Sequence, residues 1–135
     1  DRSGRLLVDR NLRVAQVPTI FATGDTAQAA TDDLGHRALI SCQHANRLGA
    51  SAGFNAAADL LGVSLEPYQQ KNYVTCLDLG PSDAVFTRGW DSKVEMSGVK
   101  AKAMKREINT QWIYPPRPNR ADAFKAADWA RLVDY

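Results

Sequence analysis

The chain has 135 residues, 44% of them apolar, 24% charged and 8% aromatic, the mix of a folded globular protein of one ordinary domain or two small pieces. That apolar content excludes disorder as the main state, and no run approaches the ~18 apolar residues of a membrane helix. A formal charge of +2 is too small to argue for nucleic acid, and two distant cysteines, Cys42 and Cys76, disfavour a disulfide scaffold, a zinc site and a dithiol redox centre. The cysteine usage reads as that of a reducing, cytoplasmic compartment, and no metal site is expected.

The chain starts without Met at a segment that reads as the middle of something, so a C-terminal fragment of a longer protein is expected. Residues 4–14 show two short apolar runs around Asp9-Arg10-Asn11 and predict a hairpin. Thr19-Ile20-Phe21-Ala22-Thr23 predicts a buried strand ending at the turn Gly24-Asp25, and residues 26–37, polar and small, predict a loop. A helical pattern follows over 39–61, stopped by Gly62 in the position that favours a left-handed residue. Within it Ala45, Gly49, Gly53 and Ala57 recur every four residues, a smooth strip that lets another backbone approach.

The second half changes character. Residues 73–79, 84–88 and 93–96, separated by Gly80-Pro81-Ser82-Asp83 and Gly89-Trp90-Asp91-Ser92, predict an antiparallel meander. A helix over 99–112 follows, with Met104, Ile108 and Trp112 as its buried stripe and Pro115-Pro116 as its stop. A last helix is predicted over 121–133, with Asn119 as cap. The fold class is therefore α+β, divided into residues 1–65 and residues 66–135.

Gly24-Asp25 is the place for chemistry. A strand that delivers Gly-Asp at its C-terminal end sets a carboxylate at the crevice where open α/β sheets bind ligands. Gly lets a ligand approach the backbone, and Asp accepts a charge-assisted hydrogen bond from a sugar hydroxyl. The same dipeptide also makes ordinary turns.

The longer run decides between these. Gly4, Val8-Asp9, Leu12-Arg13-Val14 and Pro18-Thr19-Ile20-Phe21-Ala22-Thr23-Gly24-Asp25-Thr26-Ala27 resemble the second FAD motif of the pyridine nucleotide-disulfide oxidoreductase superfamily. Ser41-Cys42-Gln43-His44-Ala45 is similar to the helix start that faces the flavin pyrimidine in type II NADH dehydrogenases, with Cys42-Gln43 where the usual pair is Ala-Gln. The tail, through Leu77-Asp78-Leu79-Gly80 and Trp112-Ile113-Tyr114-Pro115-Pro116, is similar to NADH dehydrogenase-like flavoproteins, less specifically. The resemblance implies that residues 1–65 are the C-terminal edge of an FAD-binding domain, short strands plus a long helix. Residues 66–135 would then be a small interface-like domain of meander and helices.

It further implies hydride transfer from NAD(P)H to FAD and onward to a quinone or another small acceptor. Gly24 and Asp25 would lie at the ribityl chain, Ser41 and Cys42 at the pyrimidine side, and Gln43 at the flavin edge. None of these is expected to be catalytic in itself. The nine glycines never fall in a Gly-x-Gly-x-x-Gly spacing, so the nucleotide-phosphate loops of the superfamily lie outside the chain. The chain alone is thus expected to bind no cofactor and to be inactive.

Other residues read more plainly. His44 reads as a helix histidine with a local hydrogen bond rather than a proton relay. Cys42 and Cys76 read as packing residues, His36 as loop surface, and Trp112 and Trp129 as packing or interface anchors. Residues 99–135 carry an excess of four positive charges, a solvated face or a contact for anionic lipid on the inner membrane surface. Partners expected are a second copy of the chain, the missing N-terminal nucleotide-binding half, and a membrane or quinone contact, with no nucleic acid. The alternative to an enzyme segment is a non-catalytic dimerisation module.

Overall fold

Asp9 organises the first turn. Its carboxylate accepts from the backbone N–H groups of Asn11 at 2.8 Å and Arg13 at 2.9 Å, and its carbonyl accepts from Leu12 at 3.0 Å. Leu12 takes a left-handed conformation there, φ +68°, and is wholly buried.

The computed structural model describes residues 3–130. In chain order its elements are β1 (Leu6–Leu7), β2 (Arg13–Val14), β3 (Val17–Phe21), a 3-10 turn (Gly24–Thr26), β4 (Ala27–Gln28), α1 (Cys42–Leu61), β5 (Val74–Asp78), β6 (Ala84–Arg88), β7 (Lys93–Ser97), α2 (Gly98–Glu107), a π turn (Ile108–Trp112) and α3 (Arg120–Ala126). The fold is mixed α+β. The chain forms two compact units, residues 3–71 with 116–130, and residues 72–115. Among the described residues, no helix is long and apolar enough to cross a membrane.

In the first unit the predicted opening hairpin is reduced to a single bridge, Val8 to Val14. β1 pairs in parallel with β4, Leu6 opposite Ala27 and Leu7 opposite Gln28, while β2 pairs antiparallel with β3. The physical reason is Asp9: its carboxylate and carbonyl take N–H groups of the turn that a hairpin ladder would use. The segment expected as a plain loop after residue 26 thus contains a strand, and Ala30 bridges to Arg37.

β3 lies two residues earlier than its apolar run suggests and is not buried: Val17 to Ile20 are exposed and Phe21 is half-buried. Its partner is a two-residue strand with a register shift between Arg13 and Val14, too narrow a ribbon to screen either face. Arg13 covers the end of it, with the guanidinium 4.7 Å from the Phe21 ring centroid and hydrogen bonds to the Pro18 carbonyl and Asp59.

α1 starts at Cys42, three residues later than its periodicity indicates, because Ser41 is extended (φ −163°, ψ 151°) and caps it. It ends where expected. Gly62 adopts φ +68°, its N–H reaches the Asp59 carbonyl at 3.2 Å and that of Val63 reaches Ala58 at 2.9 Å, a paired closure that needs the left-handed residue. The buried face of α1 is His44, Leu48, Ser51, Ala52, Asn55 and Ala58, spaced three and four apart. Leu48 and Ala52 pack with Leu12, Ala29, Ala38 and Tyr68 as the core.

Asn55 joins this core to two loops. Its amide donates to the carbonyls of Asn11 at 2.9 Å and Glu66 at 2.8 Å, and its oxygen accepts from the Glu66 N–H at 2.8 Å. The small-residue strip lies off the buried face, with Gly49, Gly53 and Ala57 exposed and Ala45 half-buried. Of the strip's two glycines, a Cβ at Gly49 would be in ordinary contact with the Thr23 hydroxyl at 3.9 Å and one at Gly53 would meet nothing within 4 Å.

α3 is capped by Asn119, which accepts from the Asp122 N–H at 2.9 Å. The Trp129 ring, beyond it, meets Phe54 of α1 with centroids 4.9 Å apart. The helix predicted over 121–133 ends at Ala126, so residues 127–130 are not helical, and residues 131–133 lie outside the described residues.

The second unit is the expected meander, in order β5-β6-β7. Val74, Ala84, Phe86 and Ala101 form its core, with Cys76, Met96 and Met104 against them, so α2 covers one face of the sheet. On β5 and β6 the hydroxyls of Thr75 and Thr87 meet at 2.6 Å. Lys102 of α2 is paired with Asp78 of β5 at 2.7 Å. The predicted helix 99–112 is α-helical only to Glu107 and then widens into the π turn. Thr110 contributes by donating its hydroxyl back to the Arg106 carbonyl at 2.8 Å. Met104, Ile108 and Trp112 are half-buried rather than a buried stripe.

Candidate functional site

The candidate site belongs to the first unit and has two parts, the turn after β3 and the start of α1. At the turn, Thr23 is extended and Gly24 takes φ +64°. A Cβ there would meet nothing within 4 Å, so glycine is required by conformation and leaves open space beside the backbone. The Thr26 hydroxyl closes the turn by donating to the Thr23 carbonyl at 2.9 Å, and the turn packs on α1. Asp25 is exposed, and among the described residues its carboxylate has no hydrogen-bond or ion-pair partner. A free acceptor therefore stands beside an uncrowded glycine.

At the second part, Ser41 Oγ accepts from the His44 N–H at 3.4 Å and lies 2.8 Å from His44 Nδ1. His44 is fully buried, and burial lowers its pKa below the ordinary imidazole value. Which atom of the Ser41 Oγ–His44 Nδ1 pair donates depends on the tautomer of the neutral ring. Ser41 is half-buried, Cys42 exposed and Gln43 half-buried. The Gln43 carbonyl accepts from the Gln70 side chain at 3.4 Å, and Gln70 in turn accepts from the buried Tyr68 hydroxyl at 2.9 Å. Burial pushes the Tyr68 hydroxyl well above its usual range.

Cys42 is not the packing residue that its sequence setting suggests. It precedes the buried face that begins at His44 and is exposed. Cys76 does pack in its sheet, half-buried, with its thiol 3.7 Å from the Ala101 carbonyl; burial raises its pKa. His36 is more than loop surface, since its Nδ1 lies 2.5 Å from Asp32 Oδ2. Burial works to raise the Asp32 carboxyl, but hydrogen bonds from the His36 ring and from the Leu34 and His36 N–H groups outweigh it and hold the carboxyl low. Among the described residues no three metal-ligating side chains come together.

Sequence alone singles out Ser41 and His44 separately and does not reveal their pairing. A signal is nonetheless present, a serine three residues before a histidine at a helix start, the spacing of a cap and its third helical residue.

No family model matches the chain. Over 128 residues, 94% of its length, it is 48% identical to the NADH dehydrogenase-like proteins of two strains of Mycobacterium tuberculosis. It spans about a third, 32%, of the length of these relatives. The chain is thus similar, almost end to end, to a portion of an NADH dehydrogenase-like protein, a fragment about one third as long as the whole.

Proposed function

We propose that the chain supplies one wall of the FAD site in a longer, flavin-dependent NAD(P)H oxidoreductase that passes electrons to a quinone or another small acceptor. The observation that carries this reading is the Asp25 carboxylate, without a partner among the described residues and held beside Gly24 on the turn that packs on α1. The 48% identity to NADH dehydrogenase-like proteins supports it.

The donor and acceptor set suits a flavin. Asp25 would accept from a ribityl hydroxyl, and Gly24, where an added Cβ would have nothing within 4 Å, leaves room for that chain. Backbone N–H groups in the first turn of any helix lack an intrahelical acceptor, and the helix dipole adds to their preference for negative charge. Ser41 Oγ takes the N–H of His44, and the helix start at Cys42 is exposed. When bound, FAD supplies the hydride and electron chemistry; the chain's own residues bind and orient it. Gln43 sits one residue further along the helix, where an acceptor would approach.

The test is FAD affinity of the full-length protein that carries this chain. A hydrogen bond to a charged acceptor contributes roughly 1.5–3 kcal/mol, so Asp25→Ala should weaken FAD binding about ten- to a hundredfold. Because Asp25 is exposed and its carboxylate has no hydrogen bond or ion pair among the described residues, the melting temperature of the apoprotein should not move. An Asp25→Ala protein that holds FAD as tightly as its parent overturns the assignment.

A further inference from the structure

We infer that His44 is a positioning residue: acting through the Ser41 hydroxyl, it sets the first turn of α1 for the flavin. The inference rests on the FAD reading above for its functional half and on geometry alone for its structural half.

One hydroxyl serves two atoms of the same residue. Ser41 Oγ accepts from the His44 backbone N–H at 3.4 Å and sits 2.8 Å from the His44 ring at Nδ1. A serine cap alone is free to rotate about χ1 and to trade its helix N–H for water. Here the ring restricts it, because the hydroxyl is hydrogen-bonded to Nδ1 at the same time as it receives the backbone N–H. The ring cannot swing away, since His44 is 0% exposed and belongs to the buried face of α1 with Leu48 and Ser51. The pair therefore pins the backbone between residues 41 and 44 to the body of the helix. Cys42 and Gln43 lie within that pinned loop, and Cys42 is presented outward. A helix histidine with an ordinary local bond would not close this ring around the two residues that the FAD reading sets against the flavin.

The geometry dictates which replacement restores the function. The atom used is Nδ1. An asparagine amide ends nearly where Nδ1 stands and can pair with the Ser41 hydroxyl as donor or acceptor; a glutamine amide ends further out, near Nε2, and a leucine offers nothing. His44→Asn should therefore rescue what His44→Gln and His44→Leu lose.

Two measurements test this. In the 135-residue chain, amide hydrogen exchange at His44 should accelerate about tenfold in Ser41→Ala and in His44→Leu. In the double variant it should accelerate no further, and in His44→Asn it should stay within about twofold of the parent. In the FAD-loaded full-length protein, His44→Leu should weaken FAD binding about tenfold and blur the fine structure of the flavin visible band, with His44→Asn close to the parent. Additive exchange effects, or His44→Asn behaving like His44→Leu, overturn the pairing. Intact coupling in exchange with an unchanged flavin spectrum and affinity in His44→Leu overturns the positioning role and leaves His44 structural. A full-length parent that binds no FAD refutes the FAD reading and with it the role toward flavin, while the exchange cycle still decides the pairing.

Discussion

His44 carries the clearest consequence of burial for a single residue. The folded chain holds its pKa below the ordinary value of 6.5, so the unfolded chain binds a proton more readily. A histidine depressed in this way contributes stability that is full above pH 6.5 and is lost as the pH falls through that value toward the folded pKa. The loss is at most about 1.4 kcal/mol per pH unit. Asp32 and Asp78 are also held below their ordinary value of 3.8, but their contribution is lost only below the carboxylate range. Between pH 7.5 and 5.5 the urea midpoint of the first unit should therefore drop, and His44→Asn should flatten that dependence. A parent midpoint that does not change over this interval contradicts the neutral, buried assignment.

At the scale of elements, Asn55 is the junction of the first unit. Its side chain joins α1 to the carbonyls of Asn11 and Glu66 and to the Glu66 N–H, and it is fully buried. Asn55→Leu would take its partner from three backbone groups of the half-buried residues Asn11 and Glu66, at about 1–3 kcal/mol each where water cannot replace it. We expect a loss of about 3–5 kcal/mol in urea unfolding read by a probe in the first unit; a loss under about 1 kcal/mol contradicts the junction. The elements themselves are legible where signals are local. Ser41 and Gly62 bound α1 by cap chemistry, and Gly80 (φ +116°) and Gly89 (φ +78°) punctuate the meander. The opening strands are not legible, because Leu6 pairs with Ala27 rather than across its own turn. The composition of β3 misleads, because apolar residues bury a strand only where a second layer exists, and Val17 and Ile20 have none among the described residues. Asn55 gives no signal, since its partners are loop backbone that no periodicity locates. Of the candidate site, Gly24-Asp25 can be found by motif, whereas the exposure of Cys42 depends on which helix face packs.

At the scale of the molecule, the first unit shows apolar surface that its own residues leave open. Leu6 and Leu7 are 46% and 50% exposed, although they sit in a parallel pair and successive strand residues point to opposite faces. Parallel strands are ordinarily covered on both faces. Leu60, Leu61 and Val63 are likewise exposed around the end of α1. Such surface accords with a chain that matches about a third of its relatives' length. The central claim, that this chain is one wall of a flavin site completed by the rest of the polypeptide, is tested most directly by the visible absorption of two purified proteins, the full-length one and the 135-residue chain. The account predicts a flavin band at about 450 nm that stays with the full-length protein through gel filtration and is absent from the 135-residue chain supplied with FAD. A full-length protein without flavin, or a 135-residue chain that retains it, would contradict the account.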